Sequence, residues 1–195
     1  MQTTKRVLII AGPTGSGEST ITQEIIARYP IFTRLITATT REPRLNEVDK
    51  KDYYFFSEEQ FKKEVTRGNI VEHTFVPGRS VYYGTYKPDL EQKLAEGKNI
   101  IVNPDVVGAR YYKDQYHATT IFVKTESLDT LKERLKKRDP NISDNELTAR
   151  IKAAEYELEN EEGFYDYVII NKDGALNNTI RQVESILHDE GYPLA

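Results

Sequence analysis

A glycine-rich loop between a short apolar run and a helical pattern carries the clearest chemical signal in the sequence. It reads Gly12-Pro13-Thr14-Gly15-Ser16-Gly17-Glu18-Ser19-Thr20 and directly follows Val7-Leu8-Ile9-Ile10-Ala11. Glycines allow a tight turn that aims backbone N–H groups at phosphate oxygens, and the following helix N-terminus adds partial positive charge. The pattern predicts a Mg²⁺ ligand in the Ser19 hydroxyl and nucleotide-phosphate contacts from Gly12, Thr14, Gly15, Ser16, Gly17, Ser19 and Thr20.

One position of this phosphate loop departs from the pattern, because Glu18 stands where a lysine is expected. That lysine normally lies against the β- and γ-phosphates and stabilises charge during transfer. A carboxylate at about 4 Å, in an effective dielectric of about 20, removes an attraction of roughly 4 kcal/mol per phosphate charge and adds a similar repulsion. Three explanations stay open: a compensating cation from elsewhere, loss of catalysis with binding retained, or a substitution that traps a complex.

The elements that must hold this loop follow from hydrophobic patterning. Short, almost continuously apolar runs separated by helical patterns are typical of a parallel sheet in an α/β fold. The predicted strands are 7–11, 100–102, 119–123 and 167–170, and the predicted helices are 19–29, 58–66, 90–96, 128–138, 145–160 and 177–187.

Two segments differ from this pattern. Residues 37–84 are rich in Tyr, Phe, Thr and Arg, with a strand candidate at 52–56, and we expect an inserted, partly antiparallel subdomain there. The highly charged stretch 132–162 has a thin apolar stripe, so we expect it to pack against little. Ser127 and Ser143 are predicted helix N-caps.

Composition excludes several classes of function. The 195 residues include no cysteine, and 27 basic against 31 acidic side chains give a net charge of −4. Thiolate chemistry is therefore excluded, and nucleic-acid or polybasic membrane binding is disfavoured.

The apolar runs are too short to span a membrane. Residues 1–6 do not resemble a signal peptide, so we expect a soluble cytoplasmic protein. His73, His117 and His188 lack metal-ligand grouping.

Nine segments in order make the chain resemble the guanylate kinases, which transfer the ATP γ-phosphoryl group to GMP. They are the phosphate loop, Thr37-Ala38-Thr39-Thr40-Arg41-Glu42-Pro43-Arg44, Glu47-Val48-Asp49 with Asp52-Tyr53, Ile70-Val71-Glu72, Tyr82-Tyr83-Gly84-Thr85, Asp105-Val106-Val107-Gly108-Ala109, Arg134-Leu135-Lys136-Lys137-Arg138, Arg150 with Ala153-Ala154, and Tyr167-Val168-Ile169-Ile170-Asn171. The resemblance implies a P-loop nucleoside monophosphate kinase fold, with a core at 1–34, 88–125 and 161–195. It also implies a GMP-binding subdomain at 35–87 and a helical lid at 126–160.

For the acceptor half, the resemblance implies that Arg41 and Arg44 grip the GMP phosphate. Guanidinium forks match phosphate oxygens in a bidentate manner. Tyr53 and Tyr83 match phosphate-contacting tyrosines, while Tyr54 and Tyr82 suit aromatic packing. Guanine recognition is implied for Glu72 and Thr85, with Thr37 nearby. A carboxylate can accept from guanine N1–H and N2–H₂ together, a donor pair that adenine lacks.

For the donor half, the resemblance implies that lid arginines Arg134, Arg138 and Arg150 close over the triphosphate of ATP. Arg134 and Arg138 have i, i+4 spacing and could converge on phosphates from one helix face. Ion pairs with Glu133, Glu146 or Glu155 are the alternative. Asn171 matches a residue at the adenine edge.

A second departure falls at Asn103, where the family usually carries an acidic residue near GMP and the metal. Asp105 remains to orient Mg²⁺ or its waters. Two functions stay open: an active ATP:GMP phosphotransferase, impaired to some degree by Glu18, or a catalytically weak relative that binds GMP or a phosphorylated partner. The expected partners are GMP and ATP, with neither nucleic acid nor membrane, in a monomer or homodimer.

Overall fold

The computed structural model describes residues 5–45, 47–76 and 80–195 and contains a five-stranded parallel sheet. The strands lie in the order β2 (Phe32–Arg34), β7 (Asn99–Val102), β1 (Val7–Ala11), β8 (Thr119–Lys124) and β9 (Tyr167–Ile170). All four predicted strands are confirmed within one residue at each end. Every residue of β1 is buried, as expected for a central parallel strand covered on both faces.

Seven α-helices surround or extend from the two sheets of the described chain. Their bounds are α1 Glu18–Arg28, α2 Glu58–Thr66, α3 Lys87–Ala95, α4 Val106–Tyr116, α5 Leu128–Arg138, α6 Asp144–Asn160 and α7 Leu176–Asp189. The six predicted helices are confirmed, with α2 and α5 at the predicted bounds. Helix α3 begins three residues before its predicted start, with Pro88 in its first turn, where proline is tolerated.

Helix α4 was not predicted. Its fully buried side comprises only Gly108, Ala109 and Tyr112, so the sequence has no broad apolar stripe. Asp105 caps the helix by accepting a hydrogen bond from the Gly108 N–H at 2.9 Å. The helix follows β7 directly and therefore begins at the same sheet edge as the phosphate loop.

A second sheet occupies the segment predicted as an insertion. Its order is β4 (Tyr54–Phe55), β3 (Ala38–Thr39), β6 (Val81–Tyr86) and β5 (Ile70–Val76). The β3–β6 and β5–β6 pairs are antiparallel, whereas β3 and β4 are parallel, so the partly antiparallel expectation is confirmed. The strand predicted over 52–56 is only two residues long. A small core containing Ala38, Phe61 and Ile70 fixes α2 on this sheet.

The charged segment 132–162 packs more than its sequence pattern predicted. Helices α5 and α6 bury Leu131, Leu135, Leu147 and Ala154 in a core of their own. Ser127 and Ser143 cap the two helices, as predicted, by accepting from the N–H groups of Thr130 and Glu146. The expectation that this segment packs against little is therefore wrong, because a few large leucines close the interface.

Two other expectations concern the chain's surroundings. Among the described helices, none is both long and apolar enough to cross a membrane. The expectation that residues 1–6 are not a signal peptide falls mostly on residues 1–4, which lie outside the described residues.

Candidate active site

The phosphate loop connects β1 to α1 through glycines that no other residue could replace. Gly12 and Gly17 have φ values of 153° and 108°. A Cβ on Gly12 would lie 2.0 Å from the Val123 carbonyl oxygen, and one on Gly17 would lie 2.3 Å from Asn171 Nδ2. The backbone therefore curls tightly at the helix N-terminus, where the first-turn N–H groups have no intrahelical acceptor. This is a cradle for phosphate oxygens.

Side chains from two distant elements support the loop from outside. The Ser16 carbonyl oxygen accepts hydrogen bonds from Asn171 Nδ2 at 2.8 Å and from Arg134 Nη1 at 3.0 Å. Asn171 is buried, and its Oδ1 accepts from the Thr179 hydroxyl at 3.1 Å. Gly15, Gly17, Thr20, Arg134 and Asn171 line a shallow pocket of about 290 Å³ on this side.

Glu18 projects into a second pocket, of about 520 Å³, between the phosphate loop and the lid. Burial raises the pKa of Glu18 to about 8, and the Glu157 carboxylate raises it further, while Arg34 and Arg138 act in the opposite direction. At neutral pH the carboxyl is therefore mostly protonated. The loop lacks the attraction of a lysine, but the full negative charge considered from the sequence is not present. Because the charges of Arg34 and Arg138 act on Glu18, these two arginines are the candidates for the cation that would compensate for the missing lysine.

Carboxyl groups from the lid side line this same pocket. Burial is the main cause that raises the pKa of Glu157 to about 7, with Glu161 and Asp105 adding to it. Glu161 also has a raised pKa for the same reason. Glu157 lies in the last turn of α6, and Glu161, one helical turn later, is the C-cap of that helix.

The two predicted Mg²⁺ ligands differ in their surroundings. Asp105 lines the pocket that contains Glu18, whereas the Ser19 side chain is exposed in the first turn of α1 and is not among the lining residues. In the described part of the chain, no three His, Cys, Asp or Glu side chains group closely enough to hold an ion. Hydroxyl and carboxylate oxygens suit Mg²⁺, which commonly takes few protein ligands and binds together with nucleotide phosphates.

The predicted acceptor residues lie around one cavity of about 390 Å³. It is lined by all eight of them: Thr37, Arg41, Arg44, Tyr53, Glu72, Tyr83, Thr85 and Asn103. These residues come from β5, β6, the chain before and after β3, and the turn after β7. Asn103, Pro104 and Asp105 line both this cavity and the Glu18 pocket, so the two spaces adjoin at that turn.

Arg41 is held in place by an acidic side chain that the sequence analysis did not assign to the site. Its Nη1 and Nη2 donate to the two carboxylate oxygens of Glu47 at 2.8 and 2.9 Å. The guanidinium also lies over the Tyr53 ring at 5.4 Å. The hydrogen bonds from Arg41 lower the pKa of Glu47. Arg41 Nε is buried without a partner in the described chain. The fork is thus ordered by Glu47, and both side chains line the cavity.

Glu72 and Thr85, for which the resemblance implied guanine recognition, are hydrogen-bonded to each other and line the same cavity. The Thr85 hydroxyl donates to Glu72 Oε2 at 2.9 Å and lies 2.6 Å from the Tyr112 hydroxyl. Burial raises the pKa of Glu72 to about 7, the Thr85 hydrogen bond lowers it, and Asp105 raises it.

Asn103 lines the cavity, but its amide is already engaged with the core. Its Nδ2 donates to the Ile10 carbonyl oxygen at 2.8 Å and to the Thr22 hydroxyl at 3.0 Å. A substrate contact from Asn103 would have to replace one of these bonds. The observed contacts tie the turn after β7 to β1 and α1.

The three lid arginines do not converge. Arg134 donates to the Asn171 carbonyl oxygen at 2.7 Å and to Asp173 at 2.5 Å, on the outer side of the phosphate loop. Arg138 lies within electrostatic range of Arg150, Arg44 and Glu18, and burial is the main cause that lowers its pKa. Arg150 pairs with Glu146 at 2.6 Å, the alternative considered from the sequence. The expected joint action of Arg134 and Arg138 is not present in this arrangement.

Several lining residues could not be identified from motifs. Arg34, Thr74 and Val76 line the acceptor cavity, and Tyr165 lines the Glu18 pocket. Arg34 ends a three-residue strand that has no periodic pattern. For the Glu18 pocket, the sequence held one signal: Glu157 and Glu161 have i, i+4 spacing, which places their two carboxylates on one helix face.

Comparison with known proteins decides the family. Residues 4–190 match the family model described as guanylate kinase. A guanylate kinase of Clostridium perfringens (strain 13 / Type A) is 34% identical over 182 residues, covering 93% of this chain and 82% of that protein. A guanylate kinase of Carboxydothermus hydrogenoformans is 36% identical over 185 residues, covering 94% and 88%. The chain belongs to the guanylate kinase family.

Solved structures agree with this membership in the ATP:GMP phosphotransferases. The guanylate kinase of Anaplasma phagocytophilum superposes with a TM-score of 0.73 at 26% identity, covering 99% of this chain and 89% of that one. A shikimate kinase of Bacteroides thetaiotaomicron, with a TM-score of 0.51 and 14% identity, covers 93% of this chain and 98% of that one and shares only the fold. This guanylate kinase family member therefore has the α/β P-loop kinase fold.

Proposed function

We propose that this chain transfers the γ-phosphoryl group of ATP to GMP, giving ADP and GDP, through the residues described above. The observation that carries the proposal is the continuous site: eight acceptor-side residues line one cavity, and the turn 103–105 joins it to the phosphate-loop pocket. The two substrates would meet at that turn. In-line transfer needs no protein nucleophile and depends on positioning and electrostatic stabilisation.

The guanine of GMP would bind at Glu72 and Thr85. The Glu72 carboxylate would accept from N1–H and N2–H₂, and adenine would leave that half-buried charge without donors. Thr37 lies on the wall of the same cavity. This arrangement favours GMP over AMP.

The phosphate of GMP would bind at Arg41, Arg44, Tyr53 and Tyr83. Glu47 orients the Arg41 fork before substrate arrives. An oriented guanidinium loses less conformational freedom on binding phosphate than a free one.

ATP would place its phosphates on the loop formed by Gly12, Thr14, Gly15, Ser16, Gly17, Ser19 and Thr20. Its adenine would lie at the pocket that contains Asn171 and Arg134. Mg²⁺, held by Ser19 and Asp105 together with the nucleotide, would neutralise phosphate charge. Arg138 and Arg150 would approach the phosphates as the lid closes, which excludes water from the site.

Glu18 favours a second candidate function, a protein that binds GMP without efficient transfer. The acceptor side is complete, whereas the donor side lacks its lysine. Protonation of Glu18 reduces the repulsion of ATP phosphates but supplies no positive charge. We therefore propose a working but slowed phosphotransferase, with Glu18 at the lysine position as the limiting residue.

GDP formation from GMP and Mg²⁺-ATP tests the proposal. Chromatography should detect GDP, and replacing GMP by AMP should reduce product formation at least about a hundredfold. Calorimetric titration separates the two candidates: GMP binding without GDP formation supports the binding protein. Absence of both GDP and heat would reject both functions.

The compartment and the partners of the protein follow from the same proposed activity. We propose a cytoplasmic enzyme whose partners are the small nucleotides GMP and ATP, acting as a monomer or homodimer without nucleic acid or membrane. The arginine-lined cavity within a chain of net charge −4 is consistent with small anionic substrates.

A further inference from the structure

Tyr112 lies behind the predicted base-recognition pair and has no role in the function described so far. It is the largest of the fully buried side chains in the described chain. Its hydroxyl lies 2.6 Å from Thr85 Oγ1, which lies 2.9 Å from Glu72 Oε2. A buried tyrosine in a helix needs a partner for its hydroxyl, and here that partner touches the substrate cavity.

The donor and acceptor roles in this chain of hydroxyls are fixed by the Glu72 carboxylate. Thr85 has one hydroxyl proton, and an ionised Glu72 can only accept it. Thr85 must then accept the proton of Tyr112, so the order is Tyr112 to Thr85 to Glu72. The opposite order requires a protonated Glu72. A protonated carboxyl carries an O–H donor on one oxygen, so it can accept fewer hydrogen bonds from guanine.

Helix α4 brings its backbone equally close to Glu72. A Cβ on Gly108 would lie 3.3 Å from Glu72 Oε2, and Tyr112 follows one turn later on the same helix face. Glu72 is thus bounded by Gly108 on one side and by Thr85, which Tyr112 supports, on the other.

We propose that Tyr112 is a positioning residue for guanine recognition: its hydroxyl donates to Thr85 and thereby directs the Thr85 proton to the Glu72 carboxylate. This inference rests on the proposed function, because it assigns GMP to the cavity at Glu72. Tyr112 itself is fully buried and does not contact the ligand.

Loss of the Tyr112 hydroxyl would have two effects. Thr85, only 1% exposed, would keep a lone pair without a donor, and its own proton would no longer be directed to Glu72. The ionised form of Glu72 would lose support, while Asp105 would still oppose ionisation and Tyr111 would remain nearby. GMP binding should therefore weaken most where Glu72 titrates.

The test is calorimetric titration of the whole chain and its Tyr112→Phe variant with GMP, which requires no catalysis. We expect the Kd to rise about three- to tenfold at about pH 7. The ratio of variant to unaltered Kd, in which the titration of the GMP phosphate cancels, should be larger at about pH 6 than at about pH 8.5. A pH-independent ratio would indicate loosened packing and would overturn the proposal.

Tyr192→Phe is the matched control. Tyr192 is also buried, at 5% exposure, and its hydroxyl donates to the Val7 carbonyl oxygen, away from the cavity. Its loss should leave the Kd for GMP unchanged. An equal effect of both substitutions, or no effect of Tyr112→Phe, contradicts the positioning role.

A double-mutant cycle between Tyr112 and Thr85 gives a second test. In a Thr85→Val background the relay has no middle member, so Tyr112→Phe should cause no further loss of GMP affinity. A full additional loss would overturn the proposal. Failure of the unaltered chain to bind GMP would instead reject the proposed function, so the two failures are distinguishable.

Discussion

At the scale of single residues, this protein combines a cavity lined by all the predicted acceptor residues with an altered phosphate loop. The Arg41 fork is ordered by Glu47, and the Glu72 carboxyl is backed by Thr85. Glu18 stands in the phosphate loop as a carboxyl that burial keeps mostly protonated at neutral pH. The phosphate loop thus lacks the cation expected there, and burial opposes a negative charge in its place.

Replacing Glu72 tests the acceptor site at this scale. Glu72→Gln keeps the shape but loses the charge and presents an amide donor toward guanine donors, so the Kd for GMP should rise about ten- to hundredfold. Calorimetry measures the change. Glu59→Gln, on the exposed face of α2, is the control and should bind GMP normally. An unchanged Kd for GMP in Glu72→Gln would show that guanine does not bind at Glu72.

At the scale of elements, helix α4 packs directly against Glu72 and the turn 103–105. A Cβ at Gly108 would lie 2.7 Å from Pro104 Cβ and 3.3 Å from Glu72 Oε2, so the helix and the carboxyl can approach only because residue 108 is glycine. The turn 103–105, which joins the two pockets, would have to shift with any larger side chain.

Gly108→Ala should therefore lower both stability and GMP affinity. We expect a loss of about 1–3 kcal/mol in the free energy of unfolding, as for an overpacked core, and at least about a threefold rise in the Kd for GMP. Urea denaturation and calorimetry measure these quantities. Gly163→Ala is the matched control, because no atom lies within 4 Å of its added Cβ. Equal behaviour of the two variants would contradict the close fit.

The same elements explain how far the sequence could predict the structure. Strands β1, β7, β8 and β9 were predictable because the strands of a parallel sheet are short apolar runs, and the phosphate loop because its glycines have a specific spacing. Helix α4 and the strands β2 and β3 were not, because a helix with one narrow buried edge and strands of two or three residues leave no periodicity. Strand β4 was predicted only as part of a longer strand, over 52–56.

Site residues divide in a similar way. The eight predicted acceptor residues came from motif resemblance and line one cavity, whereas the positions of Glu47, Arg34 and Tyr112 beside it depend on contacts made by folding. The spacing of Arg134 and Arg138 suggested joint action, yet Asp173 and two backbone carbonyl groups hold Arg134 on the other side of the loop. Helical spacing alone does not determine which partner a long side chain takes.

At the scale of the whole molecule, carboxyl groups gathered between core and lid make stability depend on pH. Glu157 has a folded-state pKa of about 7, above its ordinary value of 4.5. The folded protein therefore holds this proton more tightly than the unfolded chain does. Its contribution to stability is fully present below about pH 4.5 and is lost as the pH rises toward and through 7.

Glu157→Gln should reduce this pH dependence. Between about pH 5.5 and 8, the unaltered chain should lose about 2 kcal/mol more unfolding free energy than the variant does, as measured by urea denaturation. Glu159→Gln, exposed on the same helix, should behave like the unaltered chain. Parallel pH profiles for the unaltered chain and Glu157→Gln would show that Glu157 is not the group responsible.

The most direct test of the slowed phosphotransferase compares GDP formation by this chain and by Glu18→Lys, at saturating GMP and Mg²⁺-ATP. The lysine would restore a positive charge to the phosphate loop. We predict that both proteins form GDP and that the lysine variant is faster by at least about tenfold, equivalent to roughly 1.4 kcal/mol of transition-state stabilisation. Equal rates of GDP formation, or no GDP from either protein, would contradict the proposal that this chain is a phosphotransferase slowed by Glu18.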